Sequence, residues 1–173
     1  INNFLTQDEI NNVYSYIKKL THTDHSAISG EGQSTYSHNL NFLKGVQLEK
    51  KINDEIKRYC NSCGIQTSEI NMCWSNIQKK NSFLKMHHHG DAPVVGAIFI
   101  KTDENSSKLC FQNPNPHSVV TNYIINPNPN ILCYKVKPGD LFMFPGWLQH
   151  GSNYELNKSE ERVVLSFNCK HTG

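Results

Sequence analysis

The sequence predicts a mainly β fold, a jelly roll supported on one side by two N-terminal helices. Apolar residues recur at helical spacing in residues 4–20 and 48–60, and the period changes after Glu69. From there onward, short apolar runs alternate with turn residues, which is typical of an all-β sandwich or barrel. Two Asn-Pro repeats, residues 113–116 and 126–129, fall between these runs. Because proline lacks the N–H of a ladder, they indicate turns.

Local signals place the two helices. In residues 4–20, Thr6 can cap the first turn, and Asp8 and Glu9 suit the positive end of the helix dipole. The second helix, residues 48–60, is expected to end near Gly64, since glycine readily adopts the left-handed conformation that follows a helix. Residues 26–41 are rich in Ser, Gly, His and Asn, and we expect a loop there with one short strand.

Strands are predicted for the rest of the chain. At 173 residues the chain has the size of one domain. We expect a single domain over residues 1–173, with residues 1–65 as helical support and residues 66–173 as the jelly-roll core. The predicted strands are residues 70–78, 83–89, 94–101, 108–112, 131–136, 140–145 and 162–170.

Composition limits the possible partners and the location. Lys and Arg number 17 against 15 Asp and Glu, and they are scattered, so nucleic acid is not favoured as a partner. The chain has no apolar stretch long enough for a membrane span and no signal-peptide pattern at its start, which predicts a soluble, cytoplasmic protein. The six cysteines, including Cys60 and Cys63 in a Cys-x-x-Cys pair, are interpreted as reduced thiols because an ordinary core makes disulfides unnecessary.

A run of histidines indicates a metal site. On a strand, residues two apart point to the same face with Cα atoms roughly 6.6 Å apart. His87 and His89, or His89 and Asp91, could therefore hold one ion together, and His150 is the candidate third ligand. Two histidines and a carboxylate form the facial triad of non-haem Fe(II) oxygenases, whereas the other pair makes an all-histidine variant. The residues alone leave both arrangements open.

Arg162 begins a strand that is otherwise apolar. A half-enclosed guanidinium needs an anionic partner, and no acidic residue stands at positions 164, 166 or 168 on its face. A ligand carboxylate is one candidate, and an ion pair with an acidic residue elsewhere is the other. Ser166 and Asn168 share this face and could complete the pocket. Asn76, an amide in an apolar strand, could face the same ligand.

These residues resemble the 2-oxoglutarate/Fe(II)-dependent oxygenase superfamily, and most of all a group of oxygenases common in marine phages and bacteria. That group has a Trp-x-Asn strand, a His-x-His-Pro segment, a Ser-Gly strand, a Phe-Pro-x-Trp-Leu-x-His segment, and Arg followed by Ser-Phe-Asn. The corresponding segments here are residues 74–76, 87–90, 95–99, 136–150 and 162–168. Their order and spacing agree across residues 70–169.

The resemblance implies a double-stranded β-helix with Fe(II) at one mouth. It makes His150 the distal iron ligand and Arg162 the anchor for the far carboxylate of 2-oxoglutarate, with Asn76 near the same cosubstrate. Alignment favours His87 and His89 as the other ligands and keeps Asp91 as the alternative. The chain departs from the group's pattern where Gly90 replaces proline, Val95 replaces serine and Val164 stands at a position that is often serine.

The implied activity is that of a dioxygenase that hydroxylates a C–H bond and releases succinate and CO₂. Its partners would be 2-oxoglutarate, O₂ and a polar substrate, either a prolyl- or asparaginyl-like peptide side chain or a small molecule. Residues 26–41 and 113–130 would form lids. A phage-encoded enzyme of this kind would act in a host cytoplasm. The main alternative is a cupin-like metal-binding domain without 2-oxoglutarate turnover; a nucleobase demethylase and a halogenating variant are further hypotheses.

Overall fold

The computed structural model describes residues 1–38, 42–115 and 130–172. Its helices are α1 (Gln7–Ile17), α2 (Phe42–Gly45) and α3 (Glu49–Cys63), with a 3₁₀ turn at Tyr36–His38. Its strands are β1 (Thr23–Asp24), β2 (Ile28–Ser29), β3 (Gly32–Ser34), β4 (Ser68–Lys79), β5 (Phe83–Leu84), β6 (Val95–Lys101), β7 (Leu109–Gln112), β8 (Ile131–Tyr134), β9 (Leu141–Phe144), β10 (His150–Gly151) and β11 (Glu161–His171).

Both predicted helices are confirmed, and their ends follow the local signals. At the start of α1, Thr6 accepts a hydrogen bond from the Glu9 amide while the Glu9 carboxylate accepts one from the Thr6 amide, which is a capping box. Helix α3 ends at Gly64, whose φ of 65° is left-handed. None of the helices in the described ranges is long and apolar enough to span a bilayer.

The described strands pair only in antiparallel fashion. Six form one sheet in the order β1-β3-β4-β11-β6-β9, three form a second in the order β10-β7-β8, and β2 pairs with β5. The strand predicted over residues 83–89 stops at Leu84, and the segment predicted as a loop over residues 26–41 contains both β2 and β3. With two or three residues each, β2, β3 and β5 are too short to show alternation in the sequence.

The central strand β11 separates two environments. Val163, Leu165 and Phe167 are fully buried in the main core, which lies between the six-stranded sheet and helices α1 and α3. The alternate residues of β11 face the other side, where Val164 packs with Phe99 in a smaller cluster. Successive residues of a strand point to opposite faces, so one strand serves both sides of the sheet.

The expectation that all six cysteines are reduced is wrong for two of them. Cys110 and Cys133 form a disulfide and lie directly opposite each other in β7 and β8, with Cα atoms 4.0 Å apart. The sequence gives no sign of this pairing because 23 positions separate the two residues. Cys60, Cys63, Cys73 and Cys169 are free thiols, so the Cys-x-x-Cys pair forms no disulfide.

A buried carboxylate ties helix α1 to the sheet. Glu161, at the start of β11, is 6% exposed and accepts hydrogen bonds from the hydroxyl of Tyr14 and from the ammonium groups of Lys18, Lys79 and Lys101. Burial alone would raise the pKa of this carboxyl. The four hydrogen bonds outweigh burial and hold the pKa well below its ordinary value.

We expect Glu161→Gln to lower the free energy of unfolding at pH 7 by about 2 kcal/mol, because three ion pairs lose their anion. A carboxyl whose pKa is lowered by folding stabilises the protein above the ordinary value of 4.5, and this contribution fades as the pH falls. Urea denaturation should therefore show the difference between variant and wild type shrinking below about pH 4.5.

The matched control is Glu160→Gln at the neighbouring position, where the side chain is 87% exposed and pairs with Lys80 at 3.4 Å. This substitution should lower the free energy of unfolding by less than about 0.5 kcal/mol. This role for Glu161 would be contradicted if both variants lost the same free energy of unfolding. It would also be contradicted if the loss in Glu161→Gln were as large below pH 4.5 as at pH 7.

Candidate metal centre

Three histidines converge at one point of the fold. His87, His89 and His150 offer one nitrogen each, and these nitrogens lie within 4.8 Å of one another. The ring centroids are 4.5 Å apart for His87 and His150, 5.1 Å for His87 and His89, and 5.0 Å for His89 and His150. Within the described residues no other group of three or more His, Cys, Asp or Glu side chains is this compact.

Backbone pairing brings the distant histidine to the other two. His87 and His150 form an antiparallel bridge, in which the His87 amide donates to the His150 carbonyl at 3.0 Å and the reverse bond measures 2.9 Å. The His89 amide donates to the carbonyl of Gly146 at 2.7 Å. The histidine run is thus held by pairing to residues 146–150, although it lies beyond the end of strand β5.

Hydrogen bonds orient two of the rings for metal binding. Nδ1 of His87 lies 2.8 Å from the carbonyl oxygen of Lys85, and Nδ1 of His150 lies 2.9 Å from that of Leu148. A carbonyl oxygen can only accept, so each Nδ1 carries the proton and each Nε2 of the neutral ring keeps its lone pair.

Burial keeps these imidazoles neutral. It lowers the pKa of His150 to about 3 and that of His89 to about 4, and it also lowers the pKa of His87. Neutral imidazole is the form that binds a metal ion. At pH 7 the cluster therefore presents three uncharged nitrogen donors.

The residues next to the cluster lie outside it. Asp91, the carboxylate alternative for the triad, is exposed and does not belong to the group of three. His88 is also exposed, and its Nδ1 accepts a hydrogen bond from the Gly90 amide at 3.1 Å. Among the described residues the cluster thus contains histidine nitrogens and no carboxylate.

A cavity of about 410 Å³ opens beside the histidines. Strands β4 and β11 contribute alternate residues to it, because side chains two apart share a face. All of the residues that the sequence analysis assigned to cosubstrate binding line this cavity together with the three histidines: Asn76, Arg162, Ser166 and Asn168.

Arg162 is a buried cation that forms no ion pair with any described Asp or Glu residue. It is 2% exposed, its Nε donates to the carbonyl of Ser107 at 3.1 Å, and its Nη1 donates to Oε1 of Gln78. Its guanidinium carbon lies 5.1 Å from the centroid of the Phe99 ring. Burial lowers the pKa of Arg162 to about 10, so it stays protonated at pH 7. In the described part of the chain it forms no ion pair with Asp or Glu.

Three buried amide atoms in the same cavity lack hydrogen-bond partners. They are Oδ1 of Asn76, Nε2 of Gln78 and Oδ1 of Asn168. Each such atom costs about 1–3 kcal/mol when it is left unsatisfied. The cavity therefore combines metal donors, an unneutralised cation and unsatisfied amides, and these groups fit a metal ion together with a polar, anionic ligand.

Sequence reasoning missed two groups beside Arg162. One is the Ser107 carbonyl, for which the sequence carries no signal. The other is Gln78, which follows Asn76 by two residues on the same face of β4 and was detectable by alternation. Of the two predicted lids, residues 26–41 contribute Ser26, Ala27 and Tyr36 to the cavity. Most of residues 113–130 lie outside the described ranges.

Comparisons with known proteins show the family of the chain. Residues 72–168, more than half of the chain, match the family model described as "Putative 2OG-Fe(II) oxygenase". No match was found among curated protein sequences.

Solved structures show the same fold at low identity. HygX from Streptomyces hygroscopicus, with nickel and 2-oxoglutarate bound, is 14% identical with a TM-score of 0.72, covering 99% of this chain and 82% of its own. The viral collagen prolyl hydroxylase from Paramecium bursaria Chlorella virus-1 is 14% identical with a TM-score of 0.65. The match covers 99% of this chain and 94% of the viral enzyme. A prolyl-4-hydroxylase from Pseudomonas putida is 12% identical with a TM-score of 0.61. The match covers 99% of this chain and 90% of the hydroxylase. The predicted jelly-roll fold is thereby confirmed.

We expect the substitutions His87→Ala, His89→Ala and His150→Ala each to weaken Fe(II) binding by more than about 100-fold, since each removes one of three nitrogen donors. Anaerobic calorimetry with Fe(II) measures the affinity. His88→Ala and Asp91→Ala are the matched controls and should bind as the wild type does. Loss of iron in Asp91→Ala would place its carboxylate among the ligands, and full affinity in His150→Ala would remove His150 from the site.

Proposed function

The chain belongs to the 2-oxoglutarate- and Fe(II)-dependent oxygenases, and we propose that it hydroxylates a C–H bond of a polar substrate. The observation that carries the proposal is one cavity lined both by three neutral histidines and by a buried arginine that forms no ion pair with the described Asp and Glu residues. When bound, Fe(II) and 2-oxoglutarate supply oxidative decarboxylation coupled to O₂ cleavage. One oxygen atom enters the substrate as hydroxyl and the other enters succinate, with release of CO₂.

In this proposal His87, His89 and His150 hold the iron. Their three lone pairs are available at neutral pH because burial depresses each pKa. With only three protein donors, a bound ion would keep room for the 2-oxo acid and for O₂. Since all three protein ligands are uncharged, the chelating carboxylate of 2-oxoglutarate would offset part of the charge of the ion, and the distal carboxylate would offset that of Arg162.

Arg162 is proposed to bind the distal carboxylate of 2-oxoglutarate. Its guanidinium has five N–H donors, of which the Ser107 carbonyl and Gln78 occupy one each. The remaining donors can pair with a carboxylate in a dry environment, where such a pair is strong. Asn76, Ser166 and Asn168 line the same cavity and would orient the rest of the cosubstrate.

The substrate is proposed to be a peptide side chain or a polar small molecule. His25, Ser26 and Tyr36 line the cavity, and Tyr36 is exposed, so polar and aromatic groups extend from the cavity to the surface. The similar structures include one of HygX with hygromycin B bound and one of a viral collagen prolyl hydroxylase. We therefore propose both substrate classes, and the turnover assay described below distinguishes between them.

The first test is an anaerobic titration of the Fe(II)-loaded protein with 2-oxoglutarate. Chelation by the 2-oxo acid should produce a weak visible charge-transfer band that saturates with the cosubstrate. Iron that is verified as bound but gives no band would favour a cupin-like metal-binding domain without turnover.

We expect Arg162→Leu to weaken 2-oxoglutarate binding by about 100-fold, because a charge-assisted pair in a dry site is lost. Fe(II) affinity should be unchanged, since Arg162 does not belong to the histidine cluster. The same titration measures both quantities. Arg58→Leu, at an exposed position on α3, is the control and should behave as the wild type. Unchanged 2-oxoglutarate binding in Arg162→Leu would make the guanidinium a purely structural group.

Substrate-dependent turnover tests the reaction itself. Succinate release in air should rise several-fold when a true substrate is added, and the product should gain one oxygen atom by mass spectrometry. Proline-rich collagen-like peptides and aminoglycosides represent the two proposed classes. A protein that binds 2-oxoglutarate but modifies no C–H compound in either class would contradict the proposed substrates.

A further inference from the structure

Gln78 is the one described side chain that forms a hydrogen bond with the buried guanidinium. It lies on β4 directly opposite Arg162 on β11, is 1% exposed, and lines the cavity beside the histidines. Its Oε1 accepts a hydrogen bond from Nη1 of Arg162. Its Nε2 is buried and has no hydrogen-bond partner.

The contact with Arg162 determines which way the amide points. A guanidinium can only donate, so the oxygen of Gln78 must be the atom that accepts from Arg162, and the NH₂ group is left for another partner. The two N–H donors of Gln78, a residue that lines the cavity, therefore have no acceptor among the described residues.

Two other cavity residues near Arg162 are apolar. The Phe99 ring, which lies against the guanidinium, has no polar atom. Val164 is the next cavity-facing residue after Arg162 on β11, and it is apolar as well. An anion paired with Arg162 would thus meet further donors from Gln78 and apolar walls at Phe99 and Val164.

We propose that Gln78 is a second binding residue for the distal carboxylate of 2-oxoglutarate, donating from Nε2 while Oε1 holds Arg162 in place. This inference rests on the proposed function, in which Arg162 binds the same carboxylate. Arg162 and Gln78 then present only N–H donors to the ligand. Such a site selects an acceptor-only group, which is a carboxylate, over an alkyl terminus.

The test compares two ligands that chelate iron in the same way. 2-Oxovalerate has the chain length of 2-oxoglutarate but ends in a methyl group. Both are titrated anaerobically into Fe(II)-loaded protein, and the ratio of their dissociation constants measures recognition of the distal carboxylate. This readout is binding, so it does not depend on finding a substrate.

Gln78→Met should lower the affinity for 2-oxoglutarate by about tenfold, as expected for a lost hydrogen bond to a charged group, and change that for 2-oxovalerate by less than about twofold. The matched control is Gln33→Met, the same change at an exposed position on the adjoining strand β3. It should leave both affinities unchanged. A Gln78→Met variant that keeps the wild-type ratio would overturn the inference.

A double-mutant cycle separates a direct contact from an effect through the arginine. If Gln78 donates to the carboxylate itself, Gln78→Met should still weaken the preference for 2-oxoglutarate over 2-oxovalerate when it is added to Arg162→Leu. If its effect vanishes in that background, Gln78 only positions Arg162 and the proposed contact is wrong.

A second variant, Gln78→Glu, tests the same contact while keeping a hydrogen bond to Arg162. Gln78→Glu keeps an oxygen that accepts from Arg162, replaces the donor and adds a negative charge, so it should weaken 2-oxoglutarate binding more than Gln78→Met does. Unchanged preference in Gln78→Glu would overturn the inference. A wild-type protein with no preference for 2-oxoglutarate over 2-oxovalerate would overturn the proposed function and this inference with it, whereas a preference that survives both Gln78 variants overturns the inference alone.

Discussion

The register of β11 between β4 and β6 is the constraint on which the rest of the structure depends. The strand is paired on both sides, and its side chains alternate between the helix-covered core and the cavity. A shift by one residue would send Arg162 into the apolar core and Phe167 into the cavity. Phe167 holds the register from the core side, because its ring lies over Gly96 of β6, where a side chain on that glycine would collide with it. The packing of the core therefore determines the composition of the cavity.

Desolvation determines the charges of the groups around that cavity. Burial lowers the pKa of His87, His89 and His150 and also that of Arg162. The imidazoles become neutral because their ordinary pKa is near 6.5, while the guanidinium stays charged because its pKa starts far higher. One physical effect thus yields uncharged metal donors and a cationic anchor side by side. Glu161, next to Arg162 in sequence, is kept on the opposite face by three lysines and cannot neutralise it.

Much of the fold was predictable, because long elements carry periodic signals. Helices α1 and α3 and the strands β4, β6 and β11 were all located, and the capping residue Thr6 and the terminal Gly64 marked helix ends. The errors concern short or long-range features. Strands β2 and β10 have two residues each, too few for a pattern. The Cys110–Cys133 disulfide depends on the pairing of β7 with β8, which the sequence does not specify.

The sequence by itself determined which chemical groups could form a site: the histidine run, the distant His150 and an arginine at the head of an apolar strand. It left open whether Asp91 or His87 completes the ligand set and what neutralises Arg162. Only the tertiary structure decided which of these groups meet. The bridge between His87 and His150 brings three nitrogens within 4.8 Å, leaves Asp91 exposed, and sets Gln78 rather than a carboxylate against Arg162. The physical reason is that ligand geometry depends on contacts between residues far apart in the chain, whereas sequence periodicity reports only on neighbours.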